Sequence, residues 1–172
     1  MAEQLIDYWK THKEIRFEEF AGKPGRIISG RLLAGSDLLN GIVELAKKYQ
    51  VRAGAVSVCF GSLSKTEVRW GERDKSGARG SRRSAPKMLE GPISFLSAQG
   101  KVGIPRNGEP VIHMHGVLAD TEGHVWGGHL YPGENPTYAT MDVVIQEIEG
   151  IEFAKMADPT TKEELLRARK IE

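Results

Sequence analysis

The chain has 172 residues, of which 40% are hydrophobic and 27% charged, the composition of an ordinary globular domain. Its formal net charge of +1 gives no global signal for binding nucleic acid or an acidic membrane surface. Cys59 is the single cysteine, which excludes an intrachain disulfide and a cysteine-based zinc ribbon.

The N-terminal residues 1–25 are charged throughout and end in the turn cluster Gly22–Gly25. They contain no apolar segment typical of a signal peptide, and no stretch of the chain approaches the ~18 apolar residues of a membrane span. We therefore expect an N-terminal arm over residues 1–25, a single domain over residues 26–172, and a cytoplasmic location.

The next part of the chain predicts a strand, a helix and two further strands. The first strand is Arg26–Leu33, and Ser36 is the predicted cap of the helix that follows. Helical spacing joins six apolar residues: Leu38, Leu39, Ile42, Val43, Leu45 and Ala46. The valine-rich run Val51–Phe60 suits a buried strand, and Gly61-Ser62 separates it from the strand Ser64–Trp70.

The segment Gly71–Lys87, rich in glycine, serine and arginine, predicts an exposed loop. The pattern beyond it predicts five strands: Ile93–Ala98, Val111–Leu118, His124–Tyr131, Met141–Ile148 and Ile151–Lys155. Thr160 or Thr161 is a candidate cap for a final helix over Lys162–Arg169. Short turns between the strands favour antiparallel pairing, so we expect an α+β fold with a mainly antiparallel sheet of six or seven strands and a packed helix.

Three of the five histidines fall within 17 residues and could share one face of a hairpin. His113 and His115 are two residues apart, so a strand projects both to the same side. A three-residue loop over Thr121–Gly123, with Gly123 left-handed, places His115 opposite His129. The same register places His124 on the other face of the hairpin, which excludes it from the group formed by the other three histidines.

Three imidazoles with an open fourth position are a common zinc arrangement, and such nitrogen donors also suit copper, nickel or iron. The adjacent Gly127 and Gly128 leave room for a ligand or for another backbone. The alternative is that His113, His115 and His129 are core or interface side chains that form ordinary hydrogen bonds.

Several segments resemble, in order and spacing, the plants-and-prokaryotes conserved (PPC) domain. They begin with residues 31–39 (RLLAGSDLL) and continue with AGAVSVCFGSL, LEGPISFLSAQG, PVIHMHGVLA, GGHL and TMDVVI. The resemblance implies an α+β fold, a homotrimer, and a metal site at His113, His115 and His129, as in bacterial and archaeal members. Plant members lack this histidine set and carry AT-hook segments, which are the origin of the family's DNA-binding label.

The resemblance leaves several functions open. The PPC domain is similar in fold to acetolactate decarboxylase, a lyase with three metal-binding histidines, which suggests action on a small oxo- or hydroxy-acid. Arg31 or Arg106 could bind such an acidic ligand, and Glu134 is a loop glutamate of no assigned role. A small-molecule sensor or a structural metalloprotein would use the same metal without turnover.

The nucleic-acid alternative rests on the basic segment. Residues 65–90 contain eight Lys or Arg and four Asp or Glu, a local charge of +4. The run Arg79–Arg83 is similar to a minor-groove arginine hook but lacks its compact core, and no aromatic residues are interspersed among these arginines to stack on bases. A solvated loop explains this composition equally well.

Overall fold

Residues 15, 17–73, 81–158 and 164–171 are described by a computed structural model of the chain. Their elements are β1 (Lys23–Leu33), α1 (Leu38–Lys48), β2 (Gly54–Arg69), β3 (Gly71–Arg73), β4 (Ser81–Arg83), β5 (Lys87–Gly103), β6 (Val111–Ala119), β7 (Val125–Leu130), β8 (Thr137–Glu149), β9 (Ile151–Ala157) and β10 (Glu164–Lys170). Within these ranges, α1 is not long and apolar enough to cross a membrane.

Six strands form the main antiparallel sheet in the order β1-β8-β2-β5-β6-β7. The C-terminal end of β2 also pairs with β7, through Val68 with Leu130 and Arg69 with His129. Because of this pairing, β2, β5, β6 and β7 form a closed ring. The predicted α+β class, with an antiparallel sheet and a packed helix, is confirmed.

The core lies between α1 and the inner face of the sheet. The helix buries Leu38, Leu39, Ile42 and Ala46, as its 3.6-residue periodicity predicts. The sheet supplies alternate residues of its strands, among them Leu63, Phe95, Met114, Leu118, Met141 and Ile145. Burying such side chains is worth about 1.5–3 kcal/mol each, so this layer carries most of the stability.

The cap of α1 is Asp37 and not Ser36. The Asp37 Oδ1 atom accepts the backbone N–H of Asn40 at 2.9 Å, and its Oδ2 accepts the N–H of Asn135 at 2.9 Å. Ser36 is occupied through its backbone, which hydrogen-bonds to Leu33 and Thr137. The aspartate is one residue closer to the helix and reaches an orphan amide there. The helix ends at Lys47 and Lys48, where cations favour the dipole.

Gly61-Ser62 does not end a strand, because β2 is continuous from Gly54 to Arg69. It pairs with β8 on one side and β5 on the other, and the irregularity appears as shifts in register near Gly61 and Leu63. A Cβ at Gly61 would lie 2.2 Å from the carbonyl oxygen of Thr140. The glycine therefore permits the close contact between β2 and β8.

The predicted loop Gly71–Lys87 is partly structured. Its ends pair as the hairpin of β3 and β4, supported by an Arg82–Glu72 ion pair, and Lys87 already belongs to β5. Residues 74–80 lie outside the described part of the chain. The prediction missed the pairing because no periodic apolar pattern marks a strand of three residues.

The predicted C-terminal helix is wrong, since Glu164–Lys170 form β10 and pair with β9. Leu166 and Ala168 pack against a second small cluster that contains Ile151 and Phe153. Arg169 also forms an ion pair with the buried Glu152. Tertiary pairing outweighs the helix propensity of ELLRARK. The candidate caps Thr160 and Thr161, and residues 1–14 and 16 of the predicted arm, lie outside the described residues.

Candidate metal centre

The turn between β6 and β7 has the predicted geometry. The N–H of Asp120 donates to the carbonyl of His124, the N–H of Gly123 donates to the carbonyl of Asp120, and Gly123 has a φ of 82°. The Asp120 carboxylate closes the loop by accepting the N–H groups of Glu122 and His124, and it also accepts the Trp126 indole N–H at 2.8 Å. These hydrogen bonds, that of Trp126 most strongly, lower the pKa of Asp120 to about 2.

The register that follows from this turn brings the three histidines together. His115 lies directly opposite His129, and the pairing continues to Ala119 opposite Val125. Met114 points into the core and is fully buried, so its neighbours His113 and His115 point outward. The predicted pairing of His115 with His129, and the shared face, are confirmed.

The imidazole nitrogens converge closely. The Nε2 atoms of His113 and His115 are 3.0 Å apart, and one ring nitrogen from each of the three histidines lies within 4.8 Å of the others. Two nitrogens bound to one tetrahedral zinc at ~2.0–2.1 Å are roughly 3.3 Å apart. The donor set therefore fits a transition-metal ion with small side-chain adjustments.

The environment of His113 and His129 favours the uncharged form of both imidazoles. Burial, followed by the charges of His115, Arg83 and Lys101, lowers the pKa of His113. Burial also lowers the pKa of His129 to about 4, with smaller contributions from His113, Arg83, His115 and Arg69. Both rings therefore carry a free lone pair at neutral pH, as a metal ligand requires.

Tyr131 and three cations surround the histidines. The Tyr131 ring centroid lies 4.6 Å from that of His129, and the Arg69 guanidinium carbon lies 4.8 Å from the Tyr131 centroid. Arg83 donates to the Tyr131 hydroxyl, while Lys101 is the cross-strand neighbour of His113. Tyr131 had a detectable signal, since it follows His129 by two residues; the cations depend on pairings that the sequence pattern does not give.

The other candidates from the sequence have partners elsewhere. Arg31 forms an ion pair with Asp142 between β1 and β8, and two strands, β2 and β5, separate this pair of strands from β6. The backbone of Arg106 donates to Glu152, Glu134 pairs with Lys65, and His124 lies near Asp120 at 3.3 Å. None of these contacts involves the histidine cluster.

Gly128 allows β2 to close against β7 beside His129. A Cβ on Gly128 would lie 2.4 Å from the carbonyl oxygen of Arg69, so only glycine fits without a backbone shift. Of the two roles predicted for the glycine pair, contact with another backbone is the one that Gly128 fulfils.

The fold is of the α+β class with a closed ring of four strands, and the candidate site is a cluster of three histidines on the outer face. The model of the Plants and Prokaryotes Conserved (PCC) domain, the PPC domain of the sequence analysis, matches residues 19–149. The chain belongs to this family.

Solved structures agree with that assignment. A metal-containing protein from Archaeoglobus fulgidus has a TM-score of 0.72 at 22% identity, with 88% of this chain and 99% of that chain covered. A PPC protein from Pyrococcus horikoshii has a TM-score of 0.68 at 23% identity, with 90% and 100% covered. A candidate DNA-binding protein from Ralstonia eutropha JMP134 has a TM-score of 0.62 at 20% identity, with 81% and 89% covered. Likeness at this level of identity establishes the fold.

Two curated relatives are both named Bifunctional protein GlmU. The one from Synechococcus sp. strain JA-3-3Ab is 28% identical over 148 residues, which are 82% of this chain and 21% of the relative. The one from strain JA-2-3B'a(2-13) is 29% identical over 131 residues, which are 76% and 18%. The chain spans about a fifth of the length of these relatives.

Proposed function

We propose that this protein binds one transition-metal ion, zinc in the first instance, through His113, His115 and His129. The observation that carries the proposal is the convergence of three imidazole nitrogens within 4.8 Å on an exposed face. One turn and one register place the three histidines together, and the pKa values of His113 and His129 are lowered. The family match and the metal-containing relative from Archaeoglobus fulgidus also support it.

The donor set narrows the metal and its chemistry. Three neutral nitrogen donors favour zinc, copper, nickel or iron over calcium or magnesium, which prefer oxygen. A zinc ion held by three imidazoles supplies a Lewis acid with a free position that can take water or a small acidic ligand. Lyase action on a small oxo- or hydroxy-acid would use that position, whereas a sensor or a structural protein would need no turnover.

We also propose a homotrimer, as the family resemblance implies. The sheet face that carries His113 and His115 also exposes the large apolar side chains of Phe60, Leu96 and Val117. Contiguous apolar surface of this kind is typical of an interface. A second copy of the chain is the proposed occupant, and sedimentation analysis of the purified protein would measure the number of chains.

Nucleic-acid binding through Gly71–Lys87 is the second candidate. It is supported by the local positive charge and by the relative from Ralstonia eutropha described as a candidate DNA-binding protein. Of the arginines of this segment in β4, Arg82 is paired with Glu72, and Arg83 points to the histidine cluster through Tyr131. The metal function therefore has the stronger physical support.

Metal content per chain tests the proposal. We expect untagged protein to retain close to one zinc or similar ion, measured by mass spectrometry, and His113→Ala and His129→Ala to lose it. The matched control is His124→Ala, which removes a histidine from the same hairpin on the opposite face and should keep the metal. No bound metal after reconstitution of the wild-type protein would reject the proposal, and salt-dependent DNA binding by Arg82 and Arg83 variants would then be measured.

A further inference from the structure

Positively charged side chains reach the histidine cluster from strands that carry none of the histidines. Arg69 ends β2 opposite His129, and Lys101 lies in β5 opposite His113. Directly opposed residues of an antiparallel pair project to the same face. Both residues therefore lie on the outer face of the sheet with the imidazoles, and the Lys101 Nζ atom lies 5.3 Å from the Phe153 ring centroid.

Arg83 reaches the same place from β4 through Tyr131. Its Nη1 atom donates to the Tyr131 hydroxyl, and its guanidinium carbon lies 5.6 Å from the ring centroid. The Tyr131 ring also lies beside His129, with the two ring centroids 4.6 Å apart. Tyr131 therefore holds the Arg83 guanidinium next to the histidine cluster. Arg83 belongs to the basic segment, so one end of that segment serves the histidine site.

The charges at this site do not cancel. Glu67 bonds to Arg69, but no carboxylate among residues 15, 17–73, 81–158 and 164–171 forms an ion pair with Arg83 or Lys101. The adjacent Arg82 differs, since it pairs with Glu72.

We infer that the histidine site binds a small molecule through an anionic oxygen group, a carboxylate or a phosphate, and that Arg83 selects it. Guanidinium groups bind such oxyanions with paired, charge-assisted hydrogen bonds. A divalent ion on three neutral imidazoles adds positive charge that the protein ligands leave uncompensated. This inference deepens the proposed metal function and rests on it for the open ligand position, while the cations attract an anion with or without the metal.

Three probes separate the charge of the ligand from its shape. Pyruvate, its neutral isostere pyruvamide, and inorganic phosphate are titrated by calorimetry into the full chain, both metal-free and zinc-loaded. We expect pyruvate or phosphate to bind, and pyruvamide to bind at least about tenfold more weakly, because a hydrogen bond to a charged group contributes ~1.5–3 kcal/mol. Which of the two anions binds more tightly identifies the oxyanion.

Variants assign the selectivity. Arg83→Gln should weaken anion binding about tenfold or more by the same reasoning while retaining the metal. Arg82→Gln, the neighbouring residue on the opposite side of the strand, should leave anion affinity within about twofold, since its charge is already paired. Unchanged affinity in Arg83→Gln, or equal binding of pyruvate and pyruvamide, would overturn the inference.

Metal content is measured on every sample, so the two proposals fail separately. Metal binding without anion binding in either state would leave the metal site standing and reject the anion site. Arg83-dependent anion binding by a protein that takes up no metal would do the reverse.

Discussion

The β6–β7 hairpin and the β9–β10 pair are both antiparallel, but different contacts hold their strands in place. In β6–β7, the loop of Thr121, Glu122 and left-handed Gly123, tied by the Asp120 carboxylate, sets the alignment within five residues. In β9–β10, the strand Glu164–Lys170 is stabilised by side chains that meet it only in the folded state, such as Phe153 and Glu152. A strand register that is set by neighbouring residues can be predicted from the sequence, whereas a strand that depends on packing against other elements cannot.

Truncating one core side chain in each hairpin should give the largest difference. Leu118→Ala in β6 removes a fully buried side chain and should cost about 2–5 kcal/mol of unfolding free energy. The matched variant Leu166→Ala in β10 removes a half-buried one and should cost at most about half as much. Denaturant unfolding of both variants measures this. Equal losses would show that β10 packs as firmly as β6.

The turn glycine should have an intermediate effect. Gly123→Ala puts a side chain where φ is 82°, with no atom within 4 Å of the new Cβ, so the cost is conformational and should be about 1 kcal/mol. The control Gly71→Ala also adds a Cβ in open space, at a position without a left-handed φ. It should change the unfolding free energy by less than about 0.5 kcal/mol. A neutral Gly123→Ala would mean that the loop does not depend on the left-handed residue.

The Asp120 carboxylate should give the smallest effect, visible mainly through pH. Hydrogen bonds, that of Trp126 first, lower its pKa to about 2 in the folded protein, compared with ~3.9 for an unfolded chain. The ionised group therefore stabilises the fold above about pH 4, and this contribution disappears as the pH falls toward 2. The melting temperature of wild type minus that of Asp120→Asn should be constant above pH 4 and shrink below it. A difference that does not vary with pH would assign the effect to shape alone.

The parts of the fold that the sequence predicts share this local character. Helical periodicity located α1, and the count across residues 120–124 located the facing histidines. The predicted helix cap was Ser36, and the observed cap is Asp37. Both residue types are good caps, and only the tertiary pairing of the Ser36 backbone decides between them. Lys101, Arg69 and Arg83 escaped prediction for the same reason as β10, since their place beside the histidines depends on pairings between distant strands.

The histidines and the cations that surround them come from different strands. All three histidines come from a single hairpin, within a span of 17 residues, whereas the surrounding cations come from β2, β4 and β5. A substitution in those outer strands alters the chemical surroundings of the imidazoles without touching the turn that aligns them. The hairpin that holds the histidines and the strands that supply the cations can therefore be altered separately.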